Sequence, residues 1–251
     1  MPKVLVERDG AVRTVTLNRP EKRNALDHEM LDELEAAFPP QPPGEERVAV
    51  LRAAGPVFCA GMDLAQRSEN LGRPTPIVAA LRAIESFPLP VVAVVRGHAI
   101  AGGNEIALHC DFVAASTQAR FGMSLAQVGL APNWFLAKKI MEKGGPVAAR
   151  EMLLLGDPLP ARRMYDLGMI ARVAEPEELE AEATKLVDRL ATNAPLAVRI
   201  MKRTLVRLMD FRDAVPHDDL DDEVRRVSAS DDAREGIAAR LARRAPAFRG
   251  T

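Results

Sequence analysis

Apolar and polar positions change period several times along the chain, and each change marks an element. Val4 to Glu7 and the alternating run Val12 to Leu17 flank the turn pair Asp9-Gly10, the pattern of two strands in a tight hairpin. Asp27 stands where it caps a helix reaching about Phe38, with Met30, Leu31 and Leu34 on its apolar face, and the proline-rich stretch Pro39 to Gly44 ends it. Val48 to Leu51 reads as a buried strand, Ile77 to Phe87 as a helix and the β-branched run Val91 to Val95 as another buried strand. A short helix from Asn104 and a strand from Phe112 to Ala115 follow. Strands and helices alternate, which predicts α/β layering. Past Ala174 the texture becomes helical and amphipathic, near 177–192, 196–210, 216–228 and 231–243, with Pro195 and Pro216 as breaks. The expected division is a core over residues 1–194 and a helical region over 195–251.

Composition narrows the classes of function. The 251 residues are 47% apolar, enough to bury a sizeable core. The 34 lysines and arginines against 35 acids leave a formal charge of -1, so no global field favours nucleic acid or an anionic membrane. Cys59 and Cys110 lie among small apolar residues and form no cluster of metal-binding spacing, so no metal site is expected and the chain reads as reduced and cytoplasmic. No segment offers the ~18 uninterrupted apolar residues of a membrane span, and the N-terminus lacks the apolar stretch of a signal peptide.

Two glycine turns carry candidate chemistry. Pro56 to Leu64 places small residues and Gly61 where a strand should turn into a helix, and such turns present free backbone N–H groups to an anion or oxyanion. An ordinary tight turn gives the same signature. Arg96 to Glu105, after the buried run Val91 to Val95, repeats the arrangement, so two such turns can face one oxygen.

The segments FCAGMDL and AVVRGHAIAGGNEIALHCD resemble the paired oxyanion-hole motifs of the crotonase (enoyl-CoA hydratase/isomerase) superfamily. LNRPEKRNAL, ARFGMSLAQVGLAP and SDDAREGIAARLARRAPAFRG resemble that family in order and spacing, so the likeness covers nearly the whole chain. It implies an α/β spiral of ββα units, followed by C-terminal helices that associate subunits as trimers or dimers of trimers. It also implies an acyl-CoA thioester as substrate, with coenzyme A part of that substrate and no separate cofactor. The thioester-binding N–H groups then fall on Met62, after the Ala-Gly pair, and on Gly102, three residues before Glu105.

Two fixed donors favour the enolate-like oxygen that forms when water adds to an unsaturated thioester or its double bond shifts, and one such donor is commonly worth about 2.7–4 kcal/mol. Glu105 aligns with the family's GGxE glutamate and is assigned the proton transfer, the competing role being a helix N-terminal carboxylate that favours the dipole. Leu125 stands where hydratases of the family carry a second glutamate, and leucine can neither hold water nor move a proton. Asn133 matches the nucleophilic aspartate of a dehalogenating relative, and its amide cannot attack as a carboxylate. The expected activity is an enoyl-CoA hydratase-like lyase of fatty acid metabolism. The alternatives are an isomerase, a decarboxylase or other enolate chemistry, and a non-catalytic acyl-CoA binding protein.

The remaining candidates have structural readings beside the functional ones. His98 is placed against the acyl pocket or in a structural turn, and Asn133 and Trp134 shape the pocket or cap and pack a helix. Ser124 and Gln127 can position water or serve at the surface; His109 is read as packed, and His28 and His217 as solvent-facing. For coenzyme A the resemblance points to Arg23 with Lys22 nearby, to Ala60 and Leu64 through their backbone, and to Phe248 from the C-terminal segment. Asp63 is read as structural, at a helix start. The loop Gln66 to Pro76, rich in polar residues, glycine and proline, is expected to be mobile.

Overall fold

The structure is a computed structural model that describes residues 1–72 and 76–251. Among these, the strands are β1 (Val4–Asp9), β2 (Val12–Leu17), β3 (Val48–Ala53), β4 (Val91–Val95), β5 (Ala99–Ile100), β6 (Phe112–Ser116), β7 (Arg120–Gly122), β8 (Leu159–Pro160) and β9 (Arg172–Ala174). The α-helices are α1 (His28–Ala36), α2 (Leu64–Glu69), α3 (Ile77–Ser86), α4 (Gly102–His109), α5 (Trp134–Arg150), α6 (Ala161–Asp166), α7 (Leu179–Thr192), α8 (Pro195–Met209), α9 (Asp218–Ser228) and α10 (Asp231–Leu241).

One sheet runs β1-β2-β3-β4-β6-β9, antiparallel at the first hairpin and parallel thereafter; the second joins β5, β7 and β8. After β4 and again after β6 the chain crosses to the small sheet and returns through a helix, so each turn of the spiral is a ββα unit. The alternation of side chains along a strand explains the layering. Ala49 and Leu51 of β3, with Val91, Ala93 and Val95 of β4, enter the main core with α1 and α3. Val48, Val50, Val92 and Val94 point the other way, onto Leu179, Ala183 and Val187 of α7. Covered on both faces, β4 is buried at every position, which is why it reads as a continuous apolar run.

The ends of the elements follow local chemistry. Asp27 caps α1 by accepting from the Met30 N–H at 2.9 Å, and Ser230 caps α10 by accepting from Ala233 at 3.0 Å. The helix expected from Asn104 starts two residues earlier, at Gly102. The short strands β7, β8 and β9 have too few residues to show a period in sequence. Part of the loop expected over Gln66 to Pro76 is helical, through Glu69 of α2, and residues 73–75 lie outside the described residues.

The two glycine turns are stitched to each other by the backbone. The Cys59 N–H donates to the His98 carbonyl at 3.2 Å, and the Ile100 N–H donates to the Cys59 carbonyl at 2.9 Å. A methyl group on Gly97 would stand 1.8 Å from the Pro56 carbonyl oxygen, and one on Gly103 would stand 2.4 Å from that of Cys59. Backbone, not a pliable side chain, occupies the space. Gly97→Ala is therefore expected to lower stability by about 1–3 kcal/mol, the usual range for overpacking, as read by denaturant unfolding. A variant as stable as wild type would show that the turns can separate.

Candidate active site

A cavity of about 580 Å³ opens beside this seam. Its walls come from the first turn, the start of α4, α3, the segment from Met123 to Leu136, and α9 and α10. The backbone of Arg23 to Leu26 supports the first turn. The Ala60 N–H donates to the Arg23 carbonyl at 3.0 Å, Leu26 to Gly61 at 2.8 Å and Asp63 to Leu26 at 2.8 Å. This pattern uses the Gly61 carbonyl and the Asp63 N–H on either side of Met62 and leaves the Met62 N–H without a protein acceptor among the described residues.

At the second turn Ala101 holds φ 47° and ψ −114°, a conformation rarely adopted outside glycine. Its N–H donates to Gly122 at 2.7 Å, and the peptide that follows leaves the Gly102 N–H, at the first position of α4, unpaired among the described residues. The turns touch, since a Cβ on Gly61 would lie 3.5 Å from the Gly102 nitrogen. Two free amides thus share one wall of the cavity, one of them at a helix N-terminus, where the dipole favours negative charge.

Glu105 is one turn further along α4 on the same face, as the three-residue spacing requires. It lines the cavity, yet is fully buried, and neither carboxyl oxygen has a hydrogen-bond partner among the described residues. Burial pushes its carboxyl well above the usual range, and the nearby Lys139 ammonium only partly opposes that. Lys139 stays charged, because its ion pairs with Glu85 and Glu142 outweigh its own desolvation. His109 gives no cationic help. Its Nδ1 donates to the Glu105 carbonyl at 2.8 Å, its ring stacks on Phe135 at 5.0 Å, and burial, with Lys139 adding to it, pulls its pKa down to about 3.

Ala60, Leu64, Leu125, Asn133 and Trp134 also line the cavity. Asn133 has both roles considered for it, since its side chain caps α5 by accepting from Leu136 at 3.0 Å. Trp134 likewise packs and lines, its indole donating to the Arg212 carbonyl at 3.2 Å and stacking on His217 at 4.8 Å. Ser124 is in the lining, whereas Gln127 turns to Leu155 and Asp157. Asp63 is structural, capping α2 and pairing with Arg19 at 3.0 Å.

Several placements correct the sequence reading. The His98 side chain is exposed and outside the cavity lining, because the neighbouring Ala99 takes the inward position in β5. His217, expected at the surface, lines the cavity through its stack on Trp134. Arg23, Lys22 and Phe248, by contrast, were expected at the coenzyme and not in the acyl cavity, and all three are exposed outside its lining. The left-handed φ of 53° at Arg23 serves the turn, and its carbonyl holds Ala60. Asn24 was missed altogether. Fully buried, it accepts from Arg19 N–H at 2.8 Å and donates to the carbonyls of Ala54 and Val57, both at 2.9 Å, so it ties the first motif to β3 and the first turn. No group of three metal-binding side chains occurs among the described residues, and no described helix is long and apolar enough to cross a membrane.

Paired free amides over a buried, unpaired carboxyl, carried on a ββα spiral, define a class of fold and site built to hold a polarised carbonyl group next to a proton donor or acceptor. Residues 7–251 match the family model described as Enoyl-CoA hydratase/isomerase, and the chain belongs to that family, with the crotonase fold and the function of a hydratase-like acyl-CoA enzyme. It is 33% identical, over 96% of each chain, to a probable enoyl-CoA hydratase of Mycobacterium bovis. It is 32% identical, over 82% of each chain, to a short-chain-enoyl-CoA hydratase of Clostridium acetobutylicum. Its structure superposes on that of methylmalonyl-CoA decarboxylase in complex with 2-nitronate-propionyl-CoA with a TM-score of 0.90, at 28% identity over 99% of each chain.

The electrostatics of Glu105 give a test independent of turnover. Folding raises its pKa, so the folded chain keeps a proton that the unfolded chain releases above the ordinary value of 4.5. That contribution to stability is complete below pH 4.5 and is lost as pH rises toward the folded value. Glu105→Gln, which cannot ionise, is expected to gain melting temperature relative to wild type progressively from pH 4.5 upward. A difference that stays constant with pH would show that the carboxyl is solvated.

Proposed function

We propose that the chain hydrates the double bond of an enoyl-CoA thioester. The observation that carries this reading is the meeting, in one cavity, of the Met62 and Gly102 amides with the buried Glu105, all three without a hydrogen-bond partner among the described residues. The amides receive the thioester oxygen, drawing electrons from the double bond and stabilising the enolate as the water oxygen bonds to the β-carbon. Ionised Glu105 takes the proton from that water and returns it to the α-carbon as the enolate collapses, so the carboxylate is regenerated and the thioester gains one water. One carboxyl serves both transfers, because Leu125 offers no second one.

The coenzyme would run past Ala60 and Leu64, with its charged end outside the cavity, where the exposed Lys22 and Arg23 suit phosphate. The solvent-exposed Leu196, Leu205 and Leu208 of α8 support the self-association that the family likeness suggests.

Leu125 favours a second reading, in which the enolate arises by loss of carbon dioxide from a malonyl-type thioester and no water need be activated. The similarity to a methylmalonyl-CoA decarboxylase adds support to it. A substrate panel in deuterated water, followed by mass spectrometry, separates the two. Hydration adds the mass of water, decarboxylation removes carbon dioxide, and a silent binding protein does neither. Glu105→Gln is expected to lower kcat for hydration by about 10²–10⁴-fold, the usual contribution of a general acid–base. Because the ionised form takes the proton from water, kcat/KM should rise with pH, with a midpoint above the ordinary carboxylate range. Hydration unaffected by Glu105→Gln would remove this glutamate from the mechanism.

A further inference from the structure

Away from the two amides the cavity becomes charged, and two of its arginines, Arg82 and Arg240, have no carboxylate partner among the described residues. Arg82 of α3, exposed at the cavity, lies over the Phe135 ring with its guanidinium carbon 4.6 Å from the ring centroid, and that guanidinium has no hydrogen bond or ion pair among the described residues. Arg240 of α10 reaches the Ser124 hydroxyl at 3.4 Å and no acid. The acidic groups at this end are already engaged. Asp213 accepts two bonds of 2.9 Å from Lys138, and Asp221 lies 3.5 Å from His217 Nε2. Arg225 is paired with Asp222. An anion entering the cavity would therefore meet cations without having to break an ion pair.

The position of Arg82 relative to the reacting end follows from stacked rings. Phe135, which carries Arg82, also stacks on His109, and His109 is bonded to the Glu105 carbonyl. Two ring layers, Phe135 and His109, therefore stand between Arg82 and Glu105, while Arg82 and Glu105 both line the cavity. A guanidinium placed over an aromatic ring and bonded to no acid keeps its N–H groups available, and their fork matches a carboxylate in two-point geometry. A methyl group there would gain no such bonds.

Resting on the acyl-CoA reading above, we propose that the acyl group carries a carboxylate remote from the thioester, and that Arg82 receives it. The test compares two six-carbon trans-2-enoyl-CoA substrates, one ending in a methyl group and one in a carboxylate. Wild type is expected to favour the carboxylate in kcat/KM by about tenfold or more, as one charge-assisted contact commonly supplies. Arg82→Gln should cut that ratio by about tenfold, and Arg82→Lys should retain part of it. The ratio is insensitive to any general loss of folded protein. No preference in wild type, or a preference unchanged in Arg82→Gln, would overturn the proposal. So would an equal rise of KM for both substrates, which would place Arg82 on the coenzyme. If neither substrate turns over, the hydration reading fails by itself, and calorimetric binding of saturated adipoyl-CoA against hexanoyl-CoA decides recognition. Tighter adipoyl-CoA binding that Arg82→Gln removes supports the proposal, and equal binding overturns it.

Discussion

The site depends on one contact, the seam between the turn after β3 and the turn after β4. Each turn alone is a strand-to-helix connection with spare amides, a common object. The two hydrogen bonds between Cys59 and the His98–Ile100 segment hold them at fixed separation, and the absent Cβ atoms of Gly97 and Gly103 let backbone meet backbone. Preorganisation of this kind matters because a donor stabilises a developing charge only if it need not move when the charge appears. The unusual backbone of Ala101 belongs to the same arrangement. Its N–H is committed to Gly122, and the peptide beyond it leaves the Gly102 N–H unpaired among the described residues.

The seam also determines where the carboxyl lies. Because α4 starts at Gly102, Glu105 falls on the face that carries the free amide, and burial of the helix denies it solvent. All eight residues of α4 are buried, so this helix has no polar face on which a carboxylate would be cheap. The neighbouring charges do not cancel the penalty. Lys139 is shared between Glu85 and Glu142, and His109 is held neutral, so Glu105 has a nearby positive field but no hydrogen-bonding partner among the described residues. A carboxyl whose pKa burial raises is useful for giving and taking protons and unfavourable for stability, a common conflict at active sites.

Most of the core was legible in the sequence because its signals are local. A five-residue β-branched run, an aspartate before an apolar helical face and a glycine-rich turn each report their own backbone. What was not legible depends on distant partners. Asn24 looks like any polar residue in a proline-containing turn, and its three hydrogen bonds reach Arg19, Ala54 and Val57. His217 looked solvent-facing because its stacking partner, Trp134, is more than 80 positions away in sequence, a relation no local pattern records. His98 erred in the opposite direction. Its place in a catalytic-looking motif suggested the cavity, but strand alternation sends Ala99 inward instead.

The helical region after residue 194 shows how position in sequence can mislead about position in the site. α8 is attached to the core through Lys202, the buried residue of that helix, whose ammonium reaches the Leu89 carbonyl at 3.0 Å and Asp111 at 2.6 Å. Beyond it, α9 and α10 turn back and supply Asp221, Val224, Arg225, Ser228 and Arg240 to the cavity wall. The ββα spiral therefore supplies the amides and the carboxyl, whereas the far wall is built partly from helices outside the spiral. The cavity is thus shared between the core, which carries the amides, the carboxyl and Arg82, and the helices that follow it. Substitutions in α9 and α10 can alter what the cavity admits while the seam between the two turns stays as it is.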